Sequence, residues 1–227
     1  MKNKNYRCKM LERRKKDIDI NRIEELAFKT MARRKFHSKR ENGYIYYHGL
    51  RTAKLAIEIR KIIDEIDNSK DNIIYVASLF HDIAKGIEPH NENGSILVQQ
   101  VLKDECSYEE LMEIAEITRC HNLRSSNEGW SKQIRIVQDA DMIDHMGTME
   151  VWLNFIYQAY DEKSVDASIE FYNDKEFEYY LKDCRRKLNY DISKKIFDDR
   201  SEFIHEFIQR LSIEGKGGIF NKDLLSR

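Results

Sequence analysis

The stretch SLFHDIAKGIEPH, residues 78–90, decides how this chain is read. An apolar run over 73–80 ends abruptly at His81-Asp82, an imidazole beside a carboxylate. The apolar spacing predicts a core helix from about residue 71 to residue 85. Gly86 just past that end and Pro89 three residues on give the stop signal. His81 and Asp82 are therefore expected in the last turn of a helix whose body is core, and their partners must come from elsewhere in the chain.

Working outward, the 227 residues suffice for one sizeable core. Nine glycines and one proline leave few breakers, which predicts mostly helix. Helices are predicted over about 21–36, with Ile23, Leu26, Ala27, Thr30 and Met31 on one side, and over 46–66. Others are predicted over 90–103, over 107–121 behind the capping-box pattern Ser107-x-x-Glu110, over 131–145 and over 147–160. Two long, charged amphipathic helices are expected over 164–190 and 193–214. No stretch alternates with period two for long enough to suggest a sheet. A basic, loosely ordered arm over 1–18 and a flexible tail over 215–227 complete the expected organisation.

Hydrophobic content is 41%, charged content 35% and formal net charge −1, which suits a globular protein with a heavily charged surface. The charge is uneven, with fifteen Lys or Arg against five Asp or Glu in residues 1–40. Arg13-Arg14-Lys15-Lys16 and Arg33-Arg34-Lys35 could meet phosphate. Without an aromatic platform or a nucleic-acid motif they read as a solvated basic face, so a nucleic-acid partner is not expected. Cys8, Cys106, Cys120 and Cys184 lie far apart, which signals neither a zinc ribbon nor a redox pair. No apolar core of a signal peptide and no run of about 18 apolar residues is found, so a cytoplasmic protein without a membrane partner is the expectation.

There are seven histidines. His48 lies near the start of the second predicted helix, His81 and Asp82 end the third, His90 opens the fourth, and His121 ends the fifth. Asp141, in VQDADMID, lies on the stripe of Ile134, Ile136 and Val137. A lone histidine at a helix end is usually a cap or a dipole partner. A carboxylate on an apolar stripe, however, needs a cation or a strong donor. Neutral imidazoles gathered with carboxylates are what a divalent transition metal takes.

The order His48, His81-Asp82, Asp141, with HDIAKG and VQDADMID around it, resembles the H…HD…D signature of the HD-domain superfamily of metal-dependent phosphohydrolases. The resemblance covers about residues 44–150. It implies an all-α fold, a single compact helical domain over 19–214 with the long C-terminal helices packed on its core. It also implies that His48, His81, Asp82 and Asp141 ligate one divalent ion, whether Mn, Mg, Fe, Co, Ni or Zn. His90 and His121 match positions that some members use for a second metal; otherwise they would face the substrate phosphate. Cys120-His121 stands where members that cleave cyclic dinucleotides carry His-His, and their GYP element is missing, so that activity is not expected. Ala84 replaces the usual glycine before Lys85.

The spacing adds supporting residues. Lys85 shares a face with His81, and Arg51 with His48, which suits two clamps on a substrate phosphate. Asp82 and Lys85 are the expected catalytic pair, and Asp144, one turn after Asp141, is expected to hold a histidine in its tautomer or to orient a water. Asp139 reads as a cap or surface residue, and Arg119 and Arg124, which flank His121, are weak candidates for reaching the substrate. His145 is adjacent to the site but matches no family position, and His37 and His205 read as structural or exposed. Tyr44, Tyr46 and Tyr47 fit core packing or stacking on a base. The function expected is hydrolysis of a phosphate ester or anhydride in a small substrate, a nucleotide above all. The alternatives are a di-iron oxygenase, which would need His90 and His121 as ligands, or an idle metal-binding scaffold.

Overall fold

The computed structural model describes residues 17–35, 39–124 and 129–221. The basic cluster at 13–16, Cys8, His37, most of the expected arm and residues 222–227 lie outside the described residues. Those described form ten α-helices and no strand. They are α1 (Ile20–Met31), α2 (Tyr44–Ile63), α3 (Asp71–Phe80), α4 (His90–Leu102), α5 (Tyr108–Cys120), α6 (Lys132–Asp144), α7 (Thr148–Tyr160), α8 (Val165–Asn173), α9 (Lys175–Arg186) and α10 (Asp191–Glu214). No helix among these residues is long and apolar enough to cross a membrane.

Side-chain caps set several of the starts. Asp19 accepts from Arg22 N ahead of α1, and Ser131 accepts from Ile134 N ahead of α6. Ser107 and Glu110 form the full reciprocal capping box of α5. At the centre, α3 buries Ile73, Ile74, Val76, Ala77, Ser78, Leu79 and Phe80. Each large apolar side chain removed from water there contributes roughly 1.5–3 kcal/mol. Helix α2 lies against α3 and α6, α5 packs on α3 and α4, and α10 runs along α6, α7, α8 and α9 and touches α2. The long C-terminal helix is thus packed on the core, as expected.

One close approach fixes the spacing of the central pair. A Cβ on Gly49 would overlap the carbonyl oxygen of Leu79. Only glycine lets α2 and α3 come this near, and the two flanking positions are His48 and the residues leading to His81.

Two helix boundaries and the placement of one side chain stand out against the sequence reading. Helix α3 stops at Phe80 rather than near 85, so His81 is its C-cap and Asp82 lies on the turn beyond. The cause is local: His81 Nδ1–H donates to Ser78 O (2.7 Å), the carbonyl that the Asp82 amide would need to continue the helix. The chain then closes three-residue turns, Ile83 N to Phe80 O and Lys85 N to Asp82 O. The span expected as one helix over 164–190 is broken at Asp174, which ends α8 in extended conformation and caps α9 by accepting from Glu176 N. Asp139 is fully buried and caps inward, accepting from the amides of Asn189 (2.9 Å) and Tyr190 (3.1 Å) at the start of α10.

Candidate metal centre

The site is assembled from helix ends. Helices α3, α5 and α6 each have a histidine as C-cap, namely His81, His121 and His145. His121 repeats the device of His81, its Nδ1–H donating to Thr118 O at 2.7 Å. In both rings the hydrogen bond leaves Nε2 as a lone pair aimed away from its own helix. His48, in the second turn of α2, presents Nε2 in the same way because Nδ1–H donates to Asp144 Oδ2 (2.8 Å). His90 opens α4 and is held through Nδ1 by Glu88 Oε2 (3.0 Å).

These lone pairs converge. His48 Nε2 lies 3.1 Å from His81 Nε2 and 3.1 Å from Asp141 Oδ1, and His81 Nε2 lies 3.4 Å from the same oxygen. Asp82 turns Oδ2 toward His81 Nε2 (3.8 Å) and Oδ1 toward the Nε2 atoms of His90 and His121 (3.6 Å each). Two ligand-capable groups therefore share one carboxylate. His48, His81 and Asp82 form one, and Asp82, His90 and His121 the other, with the liganding atoms of each group within 4.8 Å of one another. His81, His121 and Asp141 form a third such group, bridging the two. His48, His81, Asp82, Asp141 and His121 are all buried.

Two imidazole acceptors facing each other at 3.1 Å across a carboxylate repel unless a cation or a proton lies between them. In the absence of metal, a proton fills that need. Burial would lower the His48 pKa, but Asp141 and Asp144 outweigh it and push it up to about 9. Burial opposes ionisation of Asp82, yet His81, His121 and Lys85 hold its carboxyl well below the usual range. Asp141 is held low in the same way by His81, Arg124 and His48. Burial pushes His121 down, toward the neutral form that a metal requires.

All nine residues singled out from the sequence meet at this site. Asp144 accepts from His48 Nδ1–H (2.8 Å) and also from Arg51 Nε (3.0 Å). Arg51 is thus engaged by Asp144 and by Glu41 (3.5 Å), and the rest of its guanidinium borders a cleft of about 740 Å³ between α2, α7 and α10. Lys85 Nζ stands 3.3 Å from Asp82. Tyr44 and Tyr46 are buried, and Tyr44 stacks on His48 with ring planes 3° apart. Arg119 turns to Glu116 and away from the cluster. His205, half exposed, faces Glu178.

Four side chains matter here in roles that the sequence reading does not assign to them. Arg124 Nη2 donates to Asp141 Oδ2 and to Gln138 O. Arg34, read as part of a solvated basic face, donates to the carbonyls of Ile83 and Lys85 and so pins the turn that carries Asp82. Glu88 holds His90. His145 Nε2 lies 3.7 Å from Asp141 Oδ1, and its position four residues after Asp141 was the signal that could have found it.

The HD domain family model matches residues 45–146. Among solved structures, an HD-superfamily hydrolase from Bacillus thuringiensis is similar at 23% identity and TM-score 0.62, with 87% of this chain and 98% of that one covered. Bacillus subtilis YpgQ, determined in complex with ADP, is similar at 18% identity and TM-score 0.58, covering 89% and 96%. A Listeria innocua protein is similar at 20% identity and TM-score 0.54, covering 86% and 97%. These likenesses show the fold. No curated protein matches the chain by sequence.

Proposed function

Because residues 45–146 match the HD domain family, we propose that this chain is a metal-dependent phosphohydrolase that cleaves a phosphate ester or anhydride bond in a small substrate, a nucleotide above all. The observation that carries the reading is the 3.1 Å approach of His48 Nε2 to His81 Nε2 over the Asp141 carboxylate. On this reading His48, His81, Asp82 and Asp141 hold a divalent ion, Mn, Mg, Fe, Co, Ni or Zn, and His90 and His121 hold a second one through Asp82 or face the phosphate. Bound there, such an ion lowers the pKa of water and polarises a phosphoryl oxygen.

The chain's own residues do the rest. Asp144 fixes the His48 ring so that Nε2 keeps its lone pair for the centre. The Ser78 and Thr118 carbonyls do the same for His81 and His121. Lys85, 3.3 Å from Asp82, supplies positive charge where the transferred phosphoryl group gathers negative charge. Arg51 chiefly holds Asp144 and offers its remaining N–H groups to the substrate phosphate. The ADP complex of YpgQ, a protein of the same fold, supports a nucleotide as the substrate class.

A second reading draws on the Asp82–His90–His121 group. A pair of irons sharing Asp82 would suit oxygen chemistry instead of hydrolysis. One experiment separates the two. Protein purified without chelator is analysed for metal, then assayed with Mn²⁺, Mg²⁺, Co²⁺ and Fe²⁺ against nucleoside mono-, di- and triphosphates and an aryl phosphate. Release of phosphate or pyrophosphate supports the hydrolase. Release from none of these, with O₂ consumption by the iron-loaded protein, would replace it with the oxygenase.

A further inference from the structure

His145 stands outside the H…HD…D pattern, yet it occupies the same structural position as two of the site histidines. Like His81 and His121 it is the C-cap of its helix in right-handed helical conformation. The difference is informative. His81 and His121 each tie Nδ1 to the carbonyl three residues back, whereas the His145 ring makes no hydrogen bond among the described residues and turns toward the cluster. Its Nε2 lies 3.7 Å from Asp141 Oδ1, the oxygen that His48 and His81 also approach. Its ring centroid lies 4.6 Å from that of His48, with the planes tilted by 37°. The liganding atoms of His48, Asp141 and His145 all lie within 4.8 Å of one another.

Resting on the metal centre proposed above, we infer that His145 is a further ligand of the ion held by His48, His81, Asp82 and Asp141. Two ligands at about 2.1 Å from one ion stand roughly 3–4 Å apart, and the 3.7 Å separation from Asp141 falls in that range. The side chain is one-third exposed and makes no hydrogen bond among the described residues, so its ring can turn onto an ion while staying beside Asp141 and His48. A six-coordinate ion held by these five side chains would keep one open position, for a water or for a phosphoryl oxygen, and the neighbouring Asp82–His90–His121 group would then take the other reactant.

The test compares wild type with His145→Ala and with His145→Asn, the second guarding against a perturbed helix end. Each is stripped of metal and titrated with Co²⁺ against a competing chelator. X-ray absorption at one equivalent of cobalt then counts imidazoles per ion. Both variants should bind cobalt about tenfold or more weakly, with fewer imidazoles per cobalt and apo melting temperatures like that of wild type. The inference is overturned if wild type binds cobalt and the variants match it in affinity or in imidazole count. A wild type that binds no cobalt would instead overturn the metal centre itself.

Discussion

Asp144→Asn probes the orientation of His48 most directly. In the wild type one carboxylate serves two donors, His48 Nδ1–H through Oδ2 (2.8 Å) and Arg51 Nε–H (3.0 Å to Oδ1). Asparagine has one acceptor oxygen, so either His48 or Arg51 loses its partner, at about 1–3 kcal/mol for a part-buried donor. Loss of an outer partner of a ligating histidine weakens metal binding by about 10–100-fold. A second effect runs the other way. The His48 pKa of about 9 means that an ion binding at pH 7 must displace a proton, which lowers apparent affinity by about 100-fold. Asp144 is one of the two carboxylates that raise this pKa, so Asp144→Asn lowers it and eases the competition. Wild-type affinity should therefore climb about tenfold per pH unit from 7 to 9 and level off above. The variant should level off at lower pH, and its plateau should be about 10–100-fold weaker. Competition with a fluorescent chelator, corrected for the chelator's own protonation, from pH 6.5 to 10 reads both features. A wild-type affinity flat between pH 7 and 8.5, or equal plateaus for the two proteins, would refute the reasoning.

Four further outcomes are expected. Asp82→Ala should abolish both metal retention and turnover, because both ligand groups use this carboxylate; retained metal, measured by elemental analysis, would count against the shared role. Lys85→Ala should lower kcat while metal content is preserved if, as proposed, its charge acts on the phosphoryl group; a fall in metal content with kcat intact would assign Lys85 to holding Asp82 instead. Gly49→Ala should cost about 1–3 kcal/mol or more in urea unfolding, because a Cβ there overlaps the Leu79 carbonyl; an unshifted midpoint would show that α2 and α3 can part without penalty. Glu150 carries a stability signature. Burial pushes its pKa up to about 7 against the Tyr172 hydrogen bond, so the folded state favours the protonated form. Wild-type stability from this group then falls as pH rises from about 4.5 through 7. Glu150→Gln should accordingly be more stable than wild type by on the order of 3 kcal/mol at pH 8, and about equal to it at pH 4. Thermal melts that differ equally at the two pH values would refute this.

The sequence made the site legible where chemistry-bearing residues interrupt apolar helices. His48, His81, Asp82 and Asp141 stand out because an uncompensated polar group in such a place is costly, and their order matches a known signature. Asp144 follows from helical spacing alone. The same spacing rule applies to His145, which was set aside because the pattern lacks it. Arg34 and Arg124 were illegible for a physical reason. Each sits in irregular chain beyond a helix and reaches its target 49 and 17 residues away, so no local periodicity points to the contact. The early end of α3 and the break at Asp174 share another cause. In each, a side chain takes over a backbone hydrogen-bonding role, which a hydrophobic pattern cannot register.

The distance along the chain between the converging atoms has a kinetic consequence. His48 and Asp141 are 93 residues apart, on α2 and α6, so their contact requires those two helices to be docked. Where such a long-range contact forms after the transition state, a metal ion has no assembled site to grip before then. The ion of the proposed centre would then stabilise native contacts absent from the folding transition state. Loading the protein would leave the refolding rate nearly unchanged and slow the unfolding rate, so the metal would act as a brake on opening rather than as a nucleus for closing.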